Sequence, residues 1–454
     1  MHLHLLGIGG TFMTGIATIA KELGHQVSGS DQNIYPPMSD ELAKHNIKIF
    51  EGYDPGQIKI KPDIFIIGNS ISRGNPLFEK ILDQNLNYIS APQWLSENVL
   101  RFRKVIAVAG THGKTTVSSM ITHILTSYAL ENNKPLPGYL IGGVAKNLPN
   151  TASLGRNYFV IEADEYDTAL FDKRSKFIHY RPKYLILNNL EFDHADIFKN
   201  IQAIETSFHH LVRTLPRSAD IIANLASTSI KKVINRGCYS NLHWFNHQDY
   251  WYIKKSNSQY FIGKSKQRIP DYLIPENILG RHNRENLLPV LIVASLIEEK
   301  ISIKRSLQYI EQYKGVKRRQ ELKYQIHGIK IYDDFAHHPS SIKATIKSLK
   351  ENHNRRIIAV FEPSSNSMKM GVFKDQLNHA FENADYVFSY NKNLLWNIDQ
   401  YIKGANRSSF DNFENIAQAI SKIAKDGDVI IRMSNGNPSD FFEKLVTAFK
   451  KMPK

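Results

Sequence analysis

A single cysteine, Cys238, stands in a chain of 454 residues. That excludes an intramolecular disulfide and a multi-cysteine zinc centre. It suits a reducing compartment, and a cytoplasmic location is expected. No stretch approaches the roughly 18 consecutive apolar residues of a membrane helix, so no membrane insertion is expected. The opening Met1-His-Leu-His-Leu-Leu-Gly7 has no basic leader and meets glycine at once, unlike a secretory signal. Glycine (25) and proline (18) are too sparse for a collagen-like or low-complexity chain. No internal repeat stands out, and there is no nucleophile elbow, Cys–His pairing or kinase signature.

What is present is globular. Apolar residues are 42% and aromatic residues 11%, enough for buried cores, and 454 residues suggest about three domains. The formal charge is +15. The lysines are scattered, and the densest cluster, Lys314 to Lys323 with Arg318 and Arg319, is broken by Gly315, Val316 and Glu321. This reads as a solvated lysine-rich surface rather than a nucleic-acid-binding face.

Strand-like and helix-like patterns alternate along the chain, the rhythm of parallel α/β units. In the first hundred residues, Leu3 to Ile8, Gln26 to Ser30 and Ile64 to Gly68 read as strands. Met13 to Leu23, Asp40 to His45 and Leu77 to Leu82 read as helices. A second unit starts at Val105 and includes helices from Thr115, Ile201 and Asn286. Residues 240–270, rich in Tyr and Trp with alternating polar residues, predict antiparallel hairpins. A third unit follows Gly315, with a hairpin around His327-Gly328 and a strand at Val429 to Met433. The expected domains are 1–103, 104–313 and 314–454.

The strongest chemical motif is Gly110-Thr111-His112-Gly113-Lys114-Thr115-Thr116. It follows a predicted strand and opens a predicted helix, as a phosphate-binding loop must. Glycines let backbone N–H groups crowd phosphate oxygens, and the helix N-terminus adds its positive end. Lys114 is expected to reach the β/γ-phosphates and Thr115 to offer a hydroxyl to Mg²⁺. Val108 stands where the general pattern has its first glycine, so the loop is a shortened form. Mg²⁺ needs hard oxygen ligands nearby. The acidic strand ends 161–167 and 188–196 can supply them, with Glu162 and His194 as candidates beside Thr115. Most of the other carboxylates there read as solvated loops or helix caps. A basic P-loop ATPase acting on nucleic acid is the alternative class at this point.

Gly7-Ile-Gly9-Gly10-Thr11-Phe12 occupies another strand-to-helix turn. Phe12 replaces the third glycine of a dinucleotide fingerprint, and Asp31 lies about twenty residues on, where a ribose hydroxyl is met. The pattern fits a diphosphate-bearing ligand, or glycines required only for helix–sheet packing.

These motifs together resemble the Mur ligases of peptidoglycan synthesis over nearly the whole chain. Further resemblances are Glu162-Ala-Asp-Glu165, Asp193-His194, Gly280-Arg-His-Asn-Arg-Glu-Asn286, Gly315-Val-Lys-Arg-Arg319 and Asp333-Asp-Phe-Ala-His-His-Pro339. The resemblance implies an α/β, three-domain architecture: an N-terminal Rossmann-like UDP-sugar domain, a central P-loop ATPase-type domain and a C-terminal Rossmann-like peptide domain. It implies ATP and Mg²⁺ as cofactors, with His282, Asn283 and Asn286 near adenine and Arg319 and Asp334 near the γ-phosphate and ribose or magnesium. Closure of the third domain is expected to complete the site. UDP-N-acetylmuramate is the implied first substrate, at Gly9, Gly10, Thr11, Asp31, Ser70 and Asn75. The runs Phe171–Phe177, Asn188–Phe198 and Ser367–Gly371 resemble the branch of wall recycling that adds a murein tripeptide, rather than the alanine-adding branch. Ser365 and Asn366 are expected on the peptide side, and His337 or His338 is the implied amine base. Two departures stand out: Ser364 where an arginine is expected, and Asn437-Pro438 where a second glycine is expected. An arginine can hold a carboxylate bidentately, and serine cannot. The oligomeric state is open, with a monomer expected.

Overall fold

The computed structural model describes residues 1–264 and 271–451. Its strands form three main sheets and one small hairpin. The first sheet is parallel throughout. Its strands run in the order Lys48–Glu51, Gln26–Asp31, His2–Leu6, Ile64–Ile67, Tyr88–Ser90. Helices Thr11–Glu22, Met38–Lys44 and Pro76–Asp83 connect them, each limit one or two residues from its predicted place.

A buried polar cluster lies at the centre of this sheet. His4 is fully buried, with Nδ1 2.9 Å from Ser28 Oγ and Nε2 2.9 Å from Ser30 Oγ. Ser30 in turn donates to Gln57, and Phe50 and Phe65 meet the imidazole edge-on. Burial pulls the His4 pKa from 6.5 down to about 4, aided by the neighbouring His2. The unfolded chain therefore takes up a proton below pH 6.5 that the folded chain refuses. The sheet's contribution is fully present above pH 6.5. By pH 4 about 3 kcal/mol of it is lost. An NMR titration should show His4 neutral at pH 5.5; titration near 6.5 would contradict the burial argument.

The second sheet has ten strands. At its centre Lys104–Ala109 lies parallel between Tyr158–Ala163 and Tyr184–Leu187. These near-continuous apolar runs are covered on both faces, as parallel strands require. Asp220–Asn224 and Asn241–Phe245 continue the parallel order, joined by helix Thr228–Asn235. The prediction of hairpins over 240–270 is thus corrected at its start. Asn241–Phe245 is a parallel strand fed by a helical crossover, and it meets the next strand only at Phe245, which leaves the rest of it partly exposed. Trp251–Ser256 and Gln259–Lys264 do form an antiparallel hairpin, and residues 265–270 lie outside the described residues.

The third sheet runs Glu321–Ile326, Ile329–Asp334, Val429–Met433, Ile357–Phe361, Tyr386–Tyr390, Arg407–Phe410. Only the predicted His327-Gly328 hairpin is antiparallel. Apolar clusters cover both its faces.

By packing, the chain divides into two compact units. One comprises residues 1–191, 201–275 and 285–315; the other comprises 192–200, 276–284 and 316–454. The first two sheets share the first unit because several side chains tie them. Glu41 accepts the Thr151 backbone N–H and hydroxyl, and Glu22 accepts the Leu154 N–H. Phe171, at the turn of the hairpin Asp167–Ala169/Asp172–Ser175, packs on Phe78 and Tyr88. Among the described residues no helix is long and apolar enough to cross a membrane.

Candidate active site

The predicted phosphate loop sits between the strand Lys104–Ala109 and the helix Lys114–Glu131. Gly113 has φ +83°, a left-handed conformation that favours glycine. A Cβ there would lie 2.7 Å from Asn286 Oδ1 and 2.8 Å from Asn188 Nδ2. Those two amides bond each other at 2.8 Å, forming a floor beneath the loop. Asn189 braces the loop from the side: its Oδ1 accepts the His112 N–H at 2.8 Å and its carbonyl accepts the Thr111 N–H. Thr116 is buried in the first helical turn.

Lys114 Nζ donates to the Gly110 carbonyl at 2.7 Å and to Glu165 at 2.9 Å. Burial works to lower its pKa, but Glu165, Asp164 and Glu162 more than offset that, and the net shift is upward. The ammonium therefore stays charged. The Thr115 hydroxyl donates to Glu162 at 3.2 Å, and the other Glu162 oxygen accepts the Gly142 N–H at 2.7 Å. A hydroxyl and a carboxylate this close are hard donors of the kind Mg²⁺ takes. Glu165, almost wholly buried, is the carboxylate that pairs with the loop lysine, although at this strand end the sequence favours Glu162 and most other carboxylates read as solvated loops or caps. Asn188 and Asn189, at the head of the run 188–198 that carries the resemblance, brace the loop through their amides.

In the same unit, Asp31 accepts the Gly9 N–H at 2.8 Å and the Gln32 N–H at 2.7 Å. Its carboxylate thus shapes the glycine loop. Gly10 precedes helix Thr11–Glu22 with no side-chain cap, and Ser70 is exposed close to Gly7. Asn75 caps helix Pro76–Asp83, accepting the Phe78 N–H at 3.0 Å.

The second unit holds the remaining candidates. His194 has φ +55° and donates its N–H to Asp193. Burial works to raise the Asp193 pKa, but the nearby His194, His337 and His338 lower it on balance. His338 caps helix Pro339–His353 through Nδ1, which meets the Ser340 hydroxyl at 2.7 Å. His337 Nδ1 lies 3.1 Å from the Phe335 carbonyl. Asp334 accepts the Gln320 and Ala336 N–H groups, each at 2.7 Å, while burial pushes its pKa up. Arg318 and Arg319 both lie over the Phe335 ring. Burial, with Arg319 and Arg284 close by, lowers the His282 pKa to about 4. Asn283 donates to the Leu279 carbonyl. Of the expected adenine trio, Asn286 alone belongs to the first unit, although all three share the helix Arg281–Leu296.

Ser365 caps a short helix and Asn366 donates to Asp196 at 3.4 Å. Near Ser364 an arginine does exist, but on another strand. Arg432 is fully buried, bonded to Asp333 at 3.1 Å and to Glu362 and the Asn437 carbonyl. Ser364 donates to the other Glu362 oxygen at 3.0 Å. Gly436 covers the pair, since a Cβ there would lie 2.7 Å from Ser364 Oγ. The arginine is thus consumed in holding the 434–437 turn.

Three family models match in succession. They are the Mur ligase family catalytic domain over residues 2–103, the Mur ligase middle domain over 108–294 and the Mur ligase glutamate ligase domain over 318–436. The chain is 41% identical to the UDP-N-acetylmuramate--L-alanyl-gamma-D-glutamyl-meso-2,6-diaminoheptandioate ligase of Haemophilus influenzae, over 99% of each chain. The chain belongs to the Mur ligase family. The Escherichia coli Mur ligase of the same name is 42% identical, again over 99% of each chain. A crystal structure of a murein peptide ligase from Psychrobacter arcticus matches all of both chains, at 38% identity and a TM-score of 0.74. The α/β architecture expected from the motifs is therefore that of a three-domain Mur ligase.

Proposed function

We propose that this protein is an ATP-dependent ligase that joins UDP-N-acetylmuramate to the tripeptide L-alanyl-γ-D-glutamyl-meso-diaminopimelate, in peptidoglycan recycling in the cytoplasm. The observation that carries this reading is full-length identity above 40% to ligases of that name, combined with an intact phosphate loop. The assigned domains are 1–103 for the sugar nucleotide, 104–313 for ATP and 314–454 for the peptide. The first reaction is attack of the muramate carboxylate on the γ-phosphorus. A P–O bond forms, the β–γ bridge breaks, and ADP leaves an acyl phosphate. The peptide amine then attacks the acyl carbon and phosphate departs.

Both partners of the first step are anions, so charge compensation decides its rate. Lys114 supplies a fixed positive charge at the helix N-terminus, held by Glu165 until phosphate takes its place. Mg²⁺, when bound by Thr115 and Glu162, supplies further neutralisation of phosphate charge. His194 is the proposed third ligand. The attacking amine must be neutral, and His337 and His338 are the proposed bases. Hydroxylamine added with ATP and UDP-N-acetylmuramate, but no peptide, should trap a hydroxamate of the sugar nucleotide. ADP release without any hydroxamate would contradict the acyl-phosphate route.

A further inference from the structure

The acidic strand end Glu162-Ala-Asp-Glu165 serves two lysines, and the mechanism uses only one. Glu165 pairs with Lys114 of the phosphate loop, whereas Asp164 pairs with Lys176 at 2.8 Å. Lys176 comes from the turn after the Asp167–Ser175 hairpin, and its side chain is only 8% exposed. Its N–H donates to the Tyr166 carbonyl. Its ammonium faces two rings, Phe12 at 5.5 Å and Tyr166 at 5.7 Å. Phe12 lies in the first turn of helix Thr11–Glu22, directly after the Gly7–Gly10 loop of the first sheet. Lys176 is thus the cation where the glycine loop meets the acidic strand end.

Its position is fixed from both sides. Phe171 anchors the hairpin on Phe78 of helix Pro76–Asp83 and on Tyr88 of the first sheet. The Ser96 hydroxyl donates to the carbonyl of His179, in the same turn as Lys176. An ammonium so buried is costly to hold unless an anion stays beside it. Asp164 provides that anion while remaining about a third exposed, so it can yield.

We propose that Lys176 binds the carboxylate of the sugar-nucleotide substrate, the group to be phosphorylated, and delivers it from the glycine-loop side toward Lys114. The proposal rests on the ligase reading above. Asp164 is the placeholder: the substrate carboxylate shares or takes over its bond to Lys176. The two reacting anions then each have their own lysine, both tied to one strand end. Phe12 and Tyr166 keep water from the ammonium and strengthen its pull.

The test compares binding of UDP-N-acetylmuramate with UDP-N-acetylglucosamine, which lacks the carboxylate, by calorimetry on the full chain. The wild type should favour the muramate at least tenfold. Lys176→Met keeps the stem and removes the charge, and should bring the two ligands to within twofold of each other. Lys176→Arg should recover most of the preference. In turnover, K176M should raise KM for the muramate about tenfold and leave KM for ATP within twofold. Asp164→Asn removes the competing anion and should tighten muramate binding alone, which keeps the proposal open to test if K176M fails to fold. A K176M protein that still prefers the muramate tenfold, or a D164N protein with unchanged preference, overturns the role of Lys176. A wild type that prefers neither ligand overturns the substrate reading itself.

Discussion

Lys114→Ala is expected to abolish peptide-dependent phosphate release, lowering kcat/KM by about 10³-fold or more. Lys114 is the side chain of the phosphate loop that carries a full positive charge. Its bonds to the Gly110 carbonyl and Glu165 hold that charge at the start of an 18-residue helix. Without it, a carboxylate must approach a polyphosphate with less compensation. The same substitution takes from the buried Glu165 its ion pair with Lys114. Breaking a buried pair from one side costs about 3 kcal/mol of stability. The two effects separate in the double variant. Adding Glu165→Gln to Lys114→Ala should recover most of the lost melting temperature and none of the activity. Normal turnover by Lys114→Ala would show that the loop does not hold the reacting phosphates.

Gly113→Ala should be nearly as damaging for a different reason. The left-handed backbone at this position costs a non-glycine residue about 1 kcal/mol. The added methyl would also press to 2.7 Å from Asn286 Oδ1 and 2.8 Å from Asn188 Nδ2. Both neighbours are buried and bonded to each other, so neither can retreat cheaply. The loop must lift, and a displacement near 1 Å in a positioning element costs on the order of 100-fold in rate. Gly24→Ala is the control. Gly24 has φ +85° but nothing within 4 Å of a Cβ. It should lose about 1 kcal/mol of stability and keep full activity. Equal activity losses in the two variants would show that backbone strain, not the amide floor, sets the effect.

The sequence patterns that proved legible are local ones. Val429–Met433 is apolar except for Arg432, enough to read as a strand, and the hairpin at His327-Gly328 carries its turn residues between two strands. The phosphate loop was readable because glycine, lysine and threonine must stand in one short segment to do their work. Partnerships across the chain were not readable. Nothing near Glu165 announces that it meets a lysine 51 residues away. Arg432 meets Asp333 across 99 residues, so its burial could not be anticipated from its own segment. The spacing of Asp31 fits a ribose ligand, and the same spacing places its carboxylate to accept the Gly9 N–H, a contact no spacing rule states. Asn241 to Trp244 alternates polar and apolar residues, and that alternation does not reveal whether a neighbouring strand runs parallel or antiparallel.

The most direct measurement is phosphate release from ATP and Mg²⁺ by the purified protein. UDP-N-acetylmuramate is offered with L-alanine, with the tripeptide or with no amine, and DNA alone is offered in a separate well. Release that requires both the sugar nucleotide and the tripeptide is the predicted result, and it would also show that Ser364 is tolerated on the peptide side. Release with alanine and not with tripeptide would contradict the account and place the chain in the alanine-adding branch. Release stimulated by DNA and indifferent to the sugar nucleotide would contradict it altogether.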